Sequence, residues 1–204
     1  SLLGTLRPLK EQREGVVLAV AGCVAQQEGE GLLKRAPFID LVIGPDNIPE
    51  LPALVRSVEN GGPPVSRTVF DMEDPRFLTA RPRAGGREVT AFVTTMKGCD
   101  ERCTFCIVPY TRGSERYRHA DEIVGEIAQL VAGGVREITL LGQTVNSWYE
   151  PGQKPSSRTA PSGSQFAELL RRIAREVPDL KRIRYTSPHP RHLTDELIRA
   201  HAEL

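Results

Sequence analysis

Strand-length apolar runs alternate with helix-period segments along this chain, and that alternation sharply limits the folds open to it. Val16–Ala21 and Ile39–Ile43 are continuous apolar runs, as expected of strands buried on both faces. Gln26–Arg35 lies between them as a short helix candidate. Ile48, Leu51, Leu54, Val55 and Val58 then recur at helical spacing until Asn60-Gly61-Gly62 stops them. A β-α-β-α order implies a parallel sheet with helices on its faces.

Residues 63–88 break the pattern with Pro63, Pro64, Pro75, Pro82, Gly85 and Gly86 among charges, and read as a connection between domains. Val69-Phe70 is an edge-strand candidate within it. A second βα series starts at Glu88. Thr90–Met96, Glu137–Leu141 and Arg182–Thr186 read as strands. Ile123, Val124, Ile127, Leu130 and Val131 mark one helix face, ended by Gly133-Gly134; Phe166, Leu169, Leu170, Ile173 and Val177 mark another. A polar loop, 146–164, separates the second strand from that second helix. Thr194 reads as an N-cap, with Leu193 and Ile198 placed for a hydrophobic staple. The fold class is therefore α/β: a partial Rossmann- or flavodoxin-like N-terminal domain (1–63), a linker (64–88), and the first half of a β/α barrel (89–204). A half barrel leaves a sheet edge unpaired, so the chain reads as a fragment of a longer polypeptide.

Composition excludes a few classes. The 39% hydrophobic and 26% charged content is that of a globular protein. No apolar run approaches the ~18 residues of a membrane span, and the start, Ser1-Leu2-Leu3-Gly4, does not read as a signal peptide. The net charge of +1 neither demands nor forbids a nucleic-acid partner. Thiols clustered in one run, rather than spread as a disulfide framework, fit a reducing, cytoplasmic compartment.

That run is Gly98-Cys99-Asp100-Glu101-Arg102-Cys103-Thr104-Phe105-Cys106, with spacing C-x3-C-x2-C, directly after the strand candidate Thr90–Met96. Three thiolates on one loop can hold three corners of a 4Fe–4S cluster and leave the fourth iron open to a small molecule. A cluster built only for electron transfer normally has four cysteines, and here Ile107-Val108 follows the third without the fourth cysteine and proline of a bacterial ferredoxin run. Structural zinc normally needs a second Cys/His pair, and none follows here. A redox pair needs only two cysteines. An open cluster is the reading; a zinc-stabilised RNA-binding module without catalysis and an electron carrier are the alternatives from other classes.

Four runs carry a family resemblance: Val20-Ala21-Gly22-Cys23-Val24-Ala25-Gln26; Gly98–Cys106 with Ile107-Val108-Pro109-Tyr110-Thr111-Arg112-Gly113; Leu140-Leu141-Gly142-Gln143-Thr144-Val145-Asn146-Ser147; and Arg184-Tyr185-Thr186-Ser187-Pro188-His189-Pro190. With them the chain resembles radical S-adenosylmethionine (SAM) enzymes, and among these the methylthiotransferases. The second and third runs look most like the branch that methylthiolates dimethylallyl-adenosine beside the tRNA anticodon. Sister enzymes act on threonylcarbamoyl-adenosine in tRNA or on a ribosomal protein.

The resemblance implies that Cys99, Cys103 and Cys106 ligate the SAM-binding cluster, which cleaves SAM to a 5′-deoxyadenosyl radical. Cys23 would be the last of three cysteines holding an auxiliary 4Fe–4S cluster, the other two not being in this chain; by itself a lone cysteine reads as a small buried hydrophobe. A second SAM would supply the methyl group, and a flavodoxin or ferredoxin the electron. Phe105 would lie against the SAM adenine, or else pack beneath the loop. Gly142, Gln143 and Asn146 end the second barrel strand, on the rim where such barrels place their sites; they would bind SAM, or else form a turn. Ser187 and His189 end the third strand, for a polar contact or a turn. His189-Pro190-Arg191-His192 shows no third ligand for a metal. Arg112, Arg116 and Arg118 would meet the SAM carboxylate or an RNA phosphate, or else form a solvated basic face. Tyr110 and Tyr117 among them permit base stacking.

Overall fold

The computed structural model describes residues 2–72, 76–80, 88–153 and 164–204. It divides into two compact units, Ser1–Arg76 with Glu101–Gly113, and Phe77–Asp100 with Ser114–Leu204.

The first unit opens with α1 (Leu2–Gln12), which carries Pro8 and which the sequence pattern did not announce. Strand β1 (Ala19–Ala21) pairs in parallel with β2 (Leu41–Ile43), which pairs in parallel with β3 (Val65–Arg67). The central β2 is fully buried, Leu41, Val42 and Ile43 all at 0% exposure, which is why it reads as an unbroken apolar run. β1 is an edge strand and only partly covered, so the expected strand from Val16 shortens. Between them α2 (Cys23–Glu28) and α3 (Glu30–Arg35) replace the single helix expected over Gln26–Arg35, because Gly29 sits at φ 49° and interrupts it. Ala25, Leu32, Ala36, Ile39 and Val42 form this unit's core. Beneath it the buried Asp40 carboxylate accepts from the Leu18 amide (2.9 Å) and pairs with Lys10. A 3-10 turn (Pro45–Glu50) leads into α4 (Leu51–Glu59). The edge strand falls at Val65–Arg67, not Val69-Phe70, so the first sheet extends into the expected linker. Part of that linker, 73–75 and 81–87, lies outside the described residues.

The second unit holds β4 (Thr90–Thr94), a short antiparallel pair of β5 (Met96–Lys97) with β6 (Arg116–Tyr117), then α6 (Ala120–Ala132), β7 (Glu137–Leu141), α7 (Gln165–Glu176), β8 (Arg182–Tyr185) and α8 (Asp195–Glu203). Helix α5 (Val108–Arg112) lies in the first unit's share of the chain. β4, β7 and β8 form a parallel sheet in chain order, with Val93 opposite Leu140 and Leu140 opposite Tyr185. One sheet face supplies Val93, Ile138 and Leu140 to a single core with Ile123, Ile127, Phe166, Leu169, Ile173 and Leu197 from α6, α7 and α8. The opposite face carries Phe92, 65% exposed, and Glu137 bonded to Arg182 (2.8 Å) and Arg184 (2.9 Å). Sequential parallel strands with every helix on one face are the arrangement of a β/α barrel; a doubly wound sheet has helices on both. Ser164 and Thr194 cap α7 and α8 through their hydroxyls. No helix among the described residues is long and apolar enough to cross a membrane.

Candidate functional site

In the second unit, parallel pairing brings three strand ends to one edge of the sheet. β4 leads through Gly98 (φ 76°) to Cys99, which is buried. β7 ends at Leu141, whose carbonyl accepts from the Thr95 amide (2.9 Å) and hydroxyl (3.1 Å). Gly142 follows. A Cβ there would stand 2.6 Å from Met96 Cγ and 3.1 Å from Val145 Cα, so only glycine fits between β5 and the following turn. The Gln143 side-chain oxygen is buried with no hydrogen-bond partner among the described residues. Thr144 Oγ1 lies 3.0 Å from Cys99 Sγ. Asn146 is buried and clamps the β8 loop: its Nδ2 donates to the His189 carbonyl (2.9 Å) and its Oδ1 accepts from the His189 amide (2.7 Å). Ser187, at the end of β8, has φ 57°, the one described non-glycine residue in the left-handed region. Backbone held in that region costs about 1–3 kcal/mol and tends to collect at functional sites. Gly142, Gln143, Asn146 and Ser187 thus gather at one sheet edge, with Asn146 spent on positioning His189. Residues 190–192 form a 3-10 turn.

In the first unit, Cys103 is exposed and Cys106 half-buried, joined by a turn in which the Cys106 amide donates to the Cys103 carbonyl (3.0 Å). All four cysteines are free thiols. Phe105 is 93% exposed, which removes the reading of a packing residue beneath the loop. Tyr110 is exposed too. Arg112 Nε donates to Cys23 Sγ at 3.2 Å, so this arginine meets a sulfur within its own unit. Cys23 opens α2 behind Gly22, whose φ of 113° turns the chain out of β1.

The other two arginines belong to the second unit's interior. Arg116 is buried on β6, opposite Lys97. Arg118 pairs with Glu126, both side chains 4% exposed, and with Glu122 at 3.1 Å. Its carbonyl accepts from Trp148 Nε1 at 3.0 Å. The sequence offers this arginine the SAM carboxylate, an RNA phosphate or a solvated basic face; in the fold it is buried on a helix carboxylate, because a charge leaves water only with a partner. Tyr117 packs against Tyr149, ring centroids 4.1 Å apart and tilted by 45°, and donates to Glu115. Burial, then the Glu115 carboxylate, push its phenol well above the ordinary tyrosine range. Thr144 and Trp148 were missed by sequence reasoning, although Thr144 lies inside the Leu140–Ser147 run.

Within the second unit, a cysteine that follows the first strand of a one-sided parallel β/α sheet and lies beside the turn after the second strand defines a class. Residues 93–204 match the radical SAM superfamily, and the chain belongs to it. Across its whole length it is 60% identical to the tRNA-2-methylthio-N(6)-dimethylallyladenosine synthase of Sorangium cellulosum and 48% identical to that of Agrobacterium fabrum. It spans 43% and 45% of those curated relatives, less than half of each. Among solved structures, the radical S-adenosylmethionine methyltransferase TsrM of Kitasatospora setae, with tryptophan and a SAM analogue bound, matches 98% of this chain and 42% of its own, at TM-score 0.58 and 17% identity. That likeness concerns the fold.

Proposed function

We propose that the protein containing this chain is a radical SAM methylthiotransferase that modifies dimethylallyl-adenosine beside the tRNA anticodon. The observation carrying the reading is the 60% identity to the Sorangium cellulosum enzyme along the entire chain. In this reading Cys99, Cys103 and Cys106 hold the SAM-binding 4Fe–4S cluster, and Cys23 holds an auxiliary cluster together with cysteines outside this chain. The donor set fits such a cluster. Its thiols are free, and no helix or strand occupies the segment between Lys97 and Val108, so that backbone is uncommitted to a ladder. The buried, unpartnered Gln143 oxygen suits a donor such as the SAM amino group. When bound, cluster and SAM supply one-electron chemistry at an unactivated adenine C–H bond, which acid–base groups cannot attack.

The chain's own residues position and shield. Gly142 keeps the β7 end open, Asn146 and Ser187 shape the adjoining rim, and the exposed Phe105 ring suits stacking on the SAM adenine. Arg112, within reach of Cys23, serves the auxiliary site rather than an RNA phosphate. The tRNA is the partner, a flavodoxin or ferredoxin supplies the electron, and the setting is the cytoplasm. The test incubates the full-length, anaerobically reconstituted enzyme with SAM, reductant and modified tRNA. Mass spectrometry of the digested RNA should find an added methylthio group on dimethylallyl-adenosine. Modification of threonylcarbamoyl-adenosine alone, or of a ribosomal protein, rejects the substrate; colourless protein containing zinc rejects the chemistry.

A further inference from the structure

Cys99 and Thr144 stand 45 residues apart in sequence, yet their sulfur and hydroxyl oxygen approach to 3.0 Å within the second unit. Both residues are buried, at 7% and 1% exposure. A free thiol and a hydroxyl at that distance bond in either direction. An iron-bound cysteine is a thiolate and has no hydrogen to give, so the threonine must then donate its only one. The threonine is braced for this. Its carbonyl accepts from the Ser147 amide (2.9 Å) and the Ser147 hydroxyl (2.8 Å). Two residues on, Asn146 ties the same turn to His189 through both of its amide atoms. Gly142 holds the start of the turn tight against Met96. The backbone that carries the hydroxyl is therefore held in place by several bonds.

We propose that Thr144 is a positioning residue for the SAM-binding cluster, its hydroxyl donating to the Cys99 sulfur to fix that ligand and draw charge from it. The inference rests on Cys99 being an iron ligand, as the proposed function has it. Hydrogen bonds to cluster sulfurs are among the factors that set reduction potential, and groups that orient metal ligands affect metal affinity about 10–100-fold. A threonine that merely fills space beneath the loop would do neither.

The full-length protein in a Cys23→Ala background, which leaves a single cluster to observe, provides the test. Thr144→Val removes the donor at nearly constant volume, and Thr144→Ser keeps it. Midpoint potential is read by EPR-monitored redox titration and iron loss by transfer to a chelator. The Val variant should be harder to reduce and lose iron about tenfold faster; the Ser variant should return both values close to those of the parent. If Thr144→Val does not fold, Thr144→Ala replaces it and must show the same two changes. A hydroxyl-free variant with the parental potential and iron-loss rate overturns the proposal alone. A parent protein that takes up no SAM-responsive cluster overturns the assignment of Cys99, and the proposal with it.

Discussion

Each unit presents a sulfur with a defined hydrogen-bond partner, and the two environments differ in kind. In the second unit Cys99 is buried and its partner is the neutral hydroxyl of Thr144. In the first unit Cys23 is half-buried and its partner is the Arg112 guanidinium. Burying an isolated cation is costly, so a sulfur in a packed interior is best served by a neutral donor. A sulfur nearer water tolerates a full positive charge beside it at little cost. Arg118, a buried cation of the second unit, is matched by Glu126 rather than by a sulfur. The difference is that the buried Cys99 sulfur meets a neutral hydroxyl, and the half-buried Cys23 sulfur a cationic side chain.

The sharpest way to break this comparison is to remove the thiols. Cys99→Ala, Cys103→Ala or Cys106→Ala in the full-length protein should each abolish the SAM-responsive cluster, seen as loss of the SAM-induced change in the EPR spectrum. SAM cleavage at the wild-type rate by any one of them would sink the assignment. Next in size is Arg118→Ala, which strands the Glu126 carboxylate in the interior. It should cost about 3–5 kcal/mol, measured by denaturant unfolding; a loss below about 1 kcal/mol would show that the pair is not buried in solution. Gly142→Ala forces a Cβ toward Met96 and Val145 and should cost about 1–3 kcal/mol. A thermal melt checks it, and an unchanged midpoint would contradict the close approach.

The comparison is sharpened by a variant with a null effect on one side. Cys23→Ala should leave the SAM-responsive cluster in place while iron content falls by one cluster's worth; loss of both clusters would mean that the two sulfur sites are not independent. The smallest effect concerns Tyr117, whose folded-state value is raised by burial and by Glu115. A raised acid favours the folded state below the unfolded value of about 10, and that contribution fades as pH climbs past it toward the folded value. Burial raises Tyr185 as well, so absorbance titration should show late phenolate formation, of which Tyr117→Phe should remove one tyrosine's share. A variant with the same late phase would assign it elsewhere.

Much of this was legible before any coordinates. The central strand Leu41–Ile43, the strand Glu137–Leu141 and the faces of α6 and α7 follow from periodicity, because burial on one or both sides imposes it directly on residue choice. The Thr194 cap was legible for a similar local reason. What failed did so where a single residue or a neighbour overrode the pattern. Gly29 split one expected helix into two, and the Glu28-Gly29-Glu30-Gly31 run was the available signal. Val65–Arg67 became a strand because β2 offered a free edge to pair with. Arg118, one of three arginines after the cluster loop, reads as a ligand contact or a solvated face. Its partner Glu126 sits among Ile123, Ile127 and Leu130 on the buried side of α6, which only the folded helix brings to it.

The sequence by itself determined the chemistry-bearing elements: the three-thiol loop after a strand, the βα order, and Gly142 and Gln143 at a strand end. These are local, since spacing along a chain limits what a loop can ligate and what a segment can bury. Tertiary structure decided three things. Among the described residues α6, α7 and α8 pack on one sheet face, making the second unit barrel-like rather than doubly wound. Asn146 spends its amide on His189. Thr144 meets Cys99 and Arg112 meets Cys23, across 45 and 89 residues. Such pairings depend on strand register and packing, so no spacing rule along the chain can reveal them.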